Sequence, residues 1–148
     1  MKSTVSVTQE RRIAATPAAV WYVISTPQMH ERLDPRCRLE STTGNGDGGS
    51  EYVLNIRAGL ARARLRYLIR EAIPETRWVA EVYRAGKDAG VQRAELRPET
   101  AGTVLRWTVT LPTGRLTRRL VTASCERELD KWLAAVDHHS RSTPGGTA

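Results

Sequence analysis

The chain has 148 residues, of which 40% are apolar and 26% charged, and carries a formal net charge of +7. That size and balance are those of one soluble globular domain, able to bury about two thirds of the surface its unfolded chain exposes. No apolar run approaches the ~20 residues needed to span a bilayer. The opening MKSTVSVTQERR lacks the apolar stretch of a signal peptide, so a cytoplasmic location is expected. Cys37 and Cys125 are too few for a disulfide framework and have neither CxxC spacing nor flanking histidines for zinc. Both read as reduced and structural, and the sequence asks for no metal and no cofactor. The positive charge permits an anionic partner without requiring one. Abundant Arg and Ala with no Phe fit a GC-rich bacterial genome.

Thr4 to Ile13 predicts a strand with Val5, Val7, Gln9, Arg11 and Ile13 on one face. Gln9 and Arg11 interrupt the apolar set and, unless a bulge resets the register, point with the valines toward a core or cavity. A charge facing a dry interior is costly unless paired. Arg11 therefore needs a bulge or solvated sheet end, a partner such as Glu71, or an anionic group of a ligand to anchor. Thr16-Pro17 then starts a helix, with Thr16 as N-cap and Pro17 at the first helical position. Ser25-Thr26-Pro27 restarts the pattern as a second short helix to about Leu33, which Asp34-Pro35 ends. Two short helices in succession would close one end of a curved sheet.

Strand candidates Arg36 to Thr42 and Glu51 to Ala58 flank Gly44-Asn45-Gly46-Asp47-Gly48-Gly49. No Gly-Lys-Ser/Thr follows this glycine-rich stretch and a strand comes next, so it reads as a hairpin loop and not as a phosphate cradle. Tyr52, Leu54 and Ile56 share a face. Ala61 to Ile73 alternates most cleanly, with Ala61, Ala63, Leu65, Tyr67, Ile69, Glu71 and Ile73 inward and Arg62, Arg64, Arg66 and Arg70 outward. Pro74-Glu75 turns the chain. Thr76 to Tyr83 points Trp78, Ala80 and Val82 inward, Gly90 to Arg97 points Ala94 and Leu96, and Thr103 to Leu111 points Leu105, Trp107, Val109 and Leu111. Gly86 to Gly90 and Pro98 to Gly102 are the turns between them.

Gly114 to about Ser140 reads as one amphipathic helix, with Leu116, Leu120, Val121, Cys125, Leu129, Trp132, Leu133 and Val136 at three- and four-residue steps. At about 1.5 Å per residue it would run roughly 40 Å, and propensity by itself cannot hold such an apolar face in water. The helix must lie on the strands. Ser142 to Ala148 is expected to be a disordered tail behind a single domain of residues 1–141.

The predicted order is strand, two short helices, six strands, long helix. It describes an α+β fold in which a curved antiparallel sheet of about seven strands grips the C-terminal helix. The run Arg12-Ile13-Ala14-Ala15-Thr16-Pro17-Ala18-Ala19-Val20-Trp21 resembles the opening signature of the SRPBCC, or START-like, superfamily, in which a small-residue turn and a proline start the first helix and a Val-Trp pair faces the core. Gly114 through Leu133 is similar to the closing helix of its polyketide cyclase/dehydrase-like members. The resemblance implies a largely apolar cavity between helix and sheet that holds a hydrophobic or aromatic small molecule, lipid- or polyketide-like. The superfamily includes carriers, cyclases and chaperone co-activators, and no subfamily catalytic signature stands in this sequence.

Cavity candidates are Gln9, Arg11, Tyr52, Leu54, Leu65, Tyr67, Trp78, Trp107 and Trp132. The aromatics among them either fill the core or line a pocket, where a Tyr hydroxyl and a Trp N–H would orient a ligand. His30 falls near a cavity mouth without a recognisable nucleophile beside it, while His138 and His139 suit the end of the long helix. The row Arg62, Arg64, Arg66 and Arg70 projects at about 6.6–7 Å intervals, close to phosphate spacing, and so suits a nucleic acid or an acidic protein. No aromatics interleave with it to stack bases, and Glu81 and Glu95 stand ready to neutralise it across the sheet, so a solvated ion-paired face is the favoured reading. Three functions follow: ligand binding, cyclase- or dehydrase-type catalysis by confinement with a Tyr or Arg at an enolate, and an interaction surface on the basic face.

Overall fold

The computed structural model describes residues 3–143. Strand β1 (Ser3–Ile13) is followed by α1 (Pro17–Ser25), a 3-10 turn (Pro27–Met29) and α2 (His30–Leu33). Then come β2 (Cys37–Thr43), β3 (Glu51–Ala58), β4 (Ala61–Ile73), β5 (Arg77–Arg84), β6 (Lys87–Glu99), β7 (Gly102–Thr113) and α3 (Arg118–Arg141). The strands form one curved antiparallel sheet in the order β1-β7-β6-β5-β4-β3-β2. Six of them are a simple meander, and β1 closes the far edge beside β7. This is the helix-grip architecture that the element order predicts.

Local chemistry explains the starts and stops. The Thr16 hydroxyl accepts from the Ala19 amide at 3.2 Å and Pro17 occupies the first turn, so α1 begins where its cap places it. Ala19, Val20, Val23 and Ile24 are its buried face. The β5–β6 turn is tighter than the expected Gly86–Gly90. Ala85 and Gly86 take φ of 51° and 75°, the geometry of a two-residue hairpin, so β6 starts at Lys87. Gly102, at φ 149°, lets the last hairpin pass β1: a Cβ there would lie 2.1 Å from the Ile13 carbonyl oxygen.

The register of β1 and β4 corrects two sequence expectations. β1 pairs with β7 without a break from Ser3↔Thr113 to Ile13↔Thr103, so no bulge turns Arg11, which stays on the side of α3 and reaches solvent there with its side chain 42% exposed. The bulge lies instead in β4, between Ile69 and Glu71. One extra residue there exchanges the faces. Ala72 now pairs with the buried Trp78, Ile73 is exposed, and Glu71 accepts from Arg77 Nη2 at 2.6 Å. Glu71 is therefore not the partner of Arg11. That partner is Asp137 of α3, whose Oδ2 accepts from Arg11 Nε at 2.7 Å while Oδ1 accepts from Arg141 Nε at 2.9 Å.

α3 rests mainly on β1 and α1 through Cys125, Leu129, Leu133 and Val136. The helix starts at Arg118 and not at the expected Gly114, which leaves Leu116 in the preceding turn at 99% exposure, and Leu120 in its first turn is 73% exposed, contrary to the continuous buried face that the periodicity predicts. At the other end the Ser142 and Thr143 hydroxyls donate to the His138 and His139 carbonyls at 2.9 and 2.8 Å, satisfying acceptors that the helix leaves open. These two residues of the expected tail are thus a cap; the remainder of that tail lies outside the described residues.

Urea unfolding distinguishes the two halves of the stripe. Leu129→Ala is expected to cost about 2–5 kcal/mol, as for other buried leucines, whereas Leu116→Ser and Leu120→Ser stay within about 0.5 kcal/mol of the parent. Asp137→Asn, which weakens both arginine contacts, is expected to cost about 1–3 kcal/mol.

Candidate functional site

Between α3 and the concave face of the sheet lies a cavity of about 180 Å³. Leu65 and Tyr67 of β4, Trp107 of β7, and Leu129 and Trp132 of α3 are part of its wall. Polar groups enter from α2, β6 and the segment after α2: His30, Gln92 and Asp34, with Glu128 from α3. The strand alternation places Leu65, Tyr67 and Trp107 on the concave face, and the stripe of α3 brings Trp132 over them.

The cavity candidates divide. Leu65, Tyr67, Trp107 and Trp132 meet at the cavity. Leu54 and Trp78 are sealed in the core, with Trp78 packed 5.7 Å from the Trp107 ring. Tyr52 stands one layer back, its ring stacked on Tyr67 at 4.8 Å and 10°. Gln9 and Arg11 face α3 beyond the cavity, where Gln9 Nε2 reaches the Glu126 carbonyl at 3.4 Å and Arg11 holds Asp137. Gln92 was absent from the sequence candidates, although it shares the parity of Ala94 and Leu96 and the alternation of β6 pointed it inward. Asp34 and Glu128 had no such signal, because their approach depends on how the end of α2 meets α3, and Cys37 enters from the start of β2, paired with Ile56.

Three polar groups are joined across the wall. Trp107 Nε1–H donates to Gln92 Oε1 at 3.2 Å, and Gln92 Nε2–H donates to the Tyr67 hydroxyl oxygen at 3.3 Å. The His30 ring lies 5.3 Å from that of Tyr67 and 4.8 Å from that of Trp132, and its Nδ1 is 3.4 Å from the Tyr52 hydroxyl. Trp132 Nε1 is buried and has no hydrogen-bond partner among the described residues.

Burial sets the charge state of the wall. It lowers the His30 pKa to about 4 despite the opposing pull of Asp34, so the imidazole is neutral. It raises both tyrosines and pushes Cys37 up to about 12, so phenols and thiol stay protonated. Burial also acts to raise Asp34, but its bonds to Arg36 outweigh this and lower it. Arg36 Nη2 spans the rim, 2.9 Å from Asp34 Oδ2 and 2.7 Å from Glu128 Oε2. The interior is thus apolar, aromatic and uncharged, with carboxylates at its edge held by one guanidinium.

On the opposite face of the sheet the arginine row is largely paired. Arg64 meets Glu40 at 2.7 Å, Arg66 meets Glu51 at 2.6 Å and Arg70 meets Glu81 at 2.8 Å, while Arg62 donates to Asn55 at 3.2 Å. Glu95, expected to join them, is taken by Arg93 at 3.1 Å.

A family model described as polyketide cyclase / dehydrase and lipid transport matches residues 4–137. The chain belongs to that family. Solved structures share the helix-grip fold at low identity. A Nitrosomonas europaea protein superposes with a TM-score of 0.74 at 14% identity, over 93% of this chain and 95% of that one. A Staphylococcus aureus protein of unknown function gives 0.77 at 11% identity, over 95% and 98%. The protein named Ara h 8.0201 gives 0.73 at 14%, over 95% and 100%. No curated protein matches the sequence. Among the described residues no helix is long and apolar enough to cross a membrane.

The neutral histidine generates a pH dependence. Its folded pKa of about 4 lies below the ordinary 6.5, so the unfolded chain takes up the proton first and stability falls as pH falls between those values. By pH 4 the loss is about 3 kcal/mol. Unfolding free energies of the parent and His30→Gln, measured from pH 7 to pH 4, should show this component in the parent and not in the variant.

Proposed function

We propose that this protein binds a hydrophobic or aromatic small molecule in the cavity between α3 and the sheet. The observation that carries the reading is a space of about 180 Å³ walled by Tyr67, Trp107 and Trp132, aromatic side chains with polar ends, at the place where the helix and the concave sheet could have met. The family description, which joins polyketide chemistry to lipid transport, supports the same class of ligand.

The electrostatics favour binding over turnover. A general acid or base works best with a pKa near the working pH, whereas the wall offers an imidazole at about 4, a thiol at about 12 and phenols raised above their ordinary value, and its carboxylates Asp34 and Glu128 are bound to Arg36. Cyclase- or dehydrase-type catalysis would then rely on confinement and on hydrogen bonds from Tyr67 to a developing enolate. The basic sheet face is a weaker alternative: Arg64, Arg66 and Arg70 already have carboxylate partners, which leaves little free charge for a nucleic acid or an acidic protein.

Thermal unfolding in the presence of a panel of apolar and aromatic metabolites tests the reading. A ligand at 100 times its Kd adds about 2.7 kcal/mol, which raises Tm by about 5–10 °C for a domain of this size. Val109→Trp, which fills the cavity from β7, is expected to keep the fold and abolish the shift. Flat curves across the panel would refute ligand binding.

A further inference from the structure

We infer that the cavity selects a neutral ligand of about one ring through a carbonyl-type oxygen, which accepts the hydroxyl proton of Tyr67. The inference rests on the cavity being a ligand site and adds what that ligand must look like.

The direction of the hydrogen-bond chain carries it. An indole N–H can only donate, so the contact of Trp107 Nε1 with Gln92 at 3.2 Å requires the amide oxygen at that end. The amide nitrogen then faces Tyr67 and donates to its oxygen at 3.3 Å. With that oxygen engaged as an acceptor, the proton of Tyr67 is the group left to give. Among the described residues no side chain or carbonyl receives it, and Tyr67 stands on the cavity wall. A donor left unpaired against apolar surroundings is costly, so a ligand acceptor there gains what the protein lacks.

A second donor points to the same chemistry. Trp132 Nε1 is buried without a partner among the described residues, and like every indole nitrogen it cannot accept. Tyr67 and Trp132 both adjoin the His30 ring, at 5.3 and 4.8 Å between centroids. A carbonyl oxygen has two lone pairs and suits a wall that offers donors.

Charge and size narrow the class. Among the described residues the lining includes Asp34 and Glu128 but neither Arg nor Lys, the Arg36 at the rim is already taken by those two carboxylates, and burial keeps the histidine neutral. A carboxylate or phosphate would enter without a counter-charge, at a heavy desolvation cost. Arg11, the sequence candidate for anchoring such an anion, is held by Asp137 outside the cavity. An engineered protein cavity of about 150 Å³ holds benzene, and pockets for drug-sized ligands start at about 300 Å³. The space here, about 180 Å³, therefore fits a single ring with a short substituent.

Acetophenone, ethylbenzene and benzoate are nearly equal in size and differ in the property at issue. Titrated into the full chain with tryptophan fluorescence as readout, acetophenone is expected to bind about three- to tenfold more tightly than ethylbenzene, the worth of one hydrogen bond. Benzoate should bind at least tenfold more weakly than acetophenone. Tyr67→Phe should bring acetophenone to the affinity of ethylbenzene and leave ethylbenzene unchanged. Gln92→Glu, when ionised, can only accept and draws the Tyr67 proton away from the cavity. That variant should lose the ketone preference and gain affinity for benzyl alcohol, a reversal that a merely structural role for Gln92 would not produce.

Equal binding of acetophenone and ethylbenzene, an unchanged ratio in Tyr67→Phe, or benzoate bound as tightly as the ketone would overturn the inference while the cavity remains a ligand site. Binding of two-ring or long-chain probes but of none of these compounds would overturn the size limit in the same way. No binding of any apolar probe would overturn both readings.

Discussion

The seating of α3 on the sheet is the contact from which the other features follow. Cys125, Leu129, Leu133 and Val136 supply its buried stripe, and Asp137 fastens the same helix to β1 by accepting from Arg11. This bond joins the first strand to the last helix, residues far apart in sequence, and lies beside the β1–β7 pairing that closes the sheet edge. An arginine on the concave face of a strand would be a liability in an apolar core. Here its side chain is 42% exposed and pairs with Asp137, so the charge keeps contact with water while it joins the strand to the helix.

That seating also explains why a cavity exists. The helix is held by β1 and α1 through the stripe from Cys125 to Val136, whereas Leu120 in its first turn and Leu116 just before it are exposed. Between these two regimes the aromatic rings lean on one another and leave the space unfilled: Trp78 against Trp107 at 5.7 Å, Trp107 against Trp132 at 5.5 Å, Tyr52 against Tyr67 at 4.8 Å. These contacts are stacked, tilted and edge-to-face in turn, so the rings brace one another around the space. Their polar ends then determine the character of the space. Each indole N–H is a donor that cannot be reversed, and burial keeps the neighbouring phenols and imidazole uncharged.

The two faces of the sheet have separate duties. The concave face presents aromatic and aliphatic side chains to α3, while the convex face carries arginines in cross-strand pairs with Glu40, Glu51 and Glu81. Exposed pairs of this kind add little stability individually, but they leave the basic row mostly neutralised despite the chain's net charge. The surplus of positive charge is therefore not gathered on that row.

Period-2 alternation and period-3.6 spacing were enough to read the element order, the helix-grip architecture and the inward placing of Leu65, Tyr67 and Trp107, because these patterns depend on near neighbours in the chain. Gln92 was equally legible by its parity with Ala94 and Leu96. The bulge at Arg70, which moved Glu71 and Ile73 to the other face, was not, since one extra residue in a strand leaves no trace in its composition. Nor could periodicity show that Asp137, and not Glu71, meets Arg11, or that Leu116 and Leu120 stay in water. Local spacing tells which way a side chain points. What stands opposite it, and whether a cavity or solvent lies between, is decided by contacts between segments separated by up to the whole length of the chain.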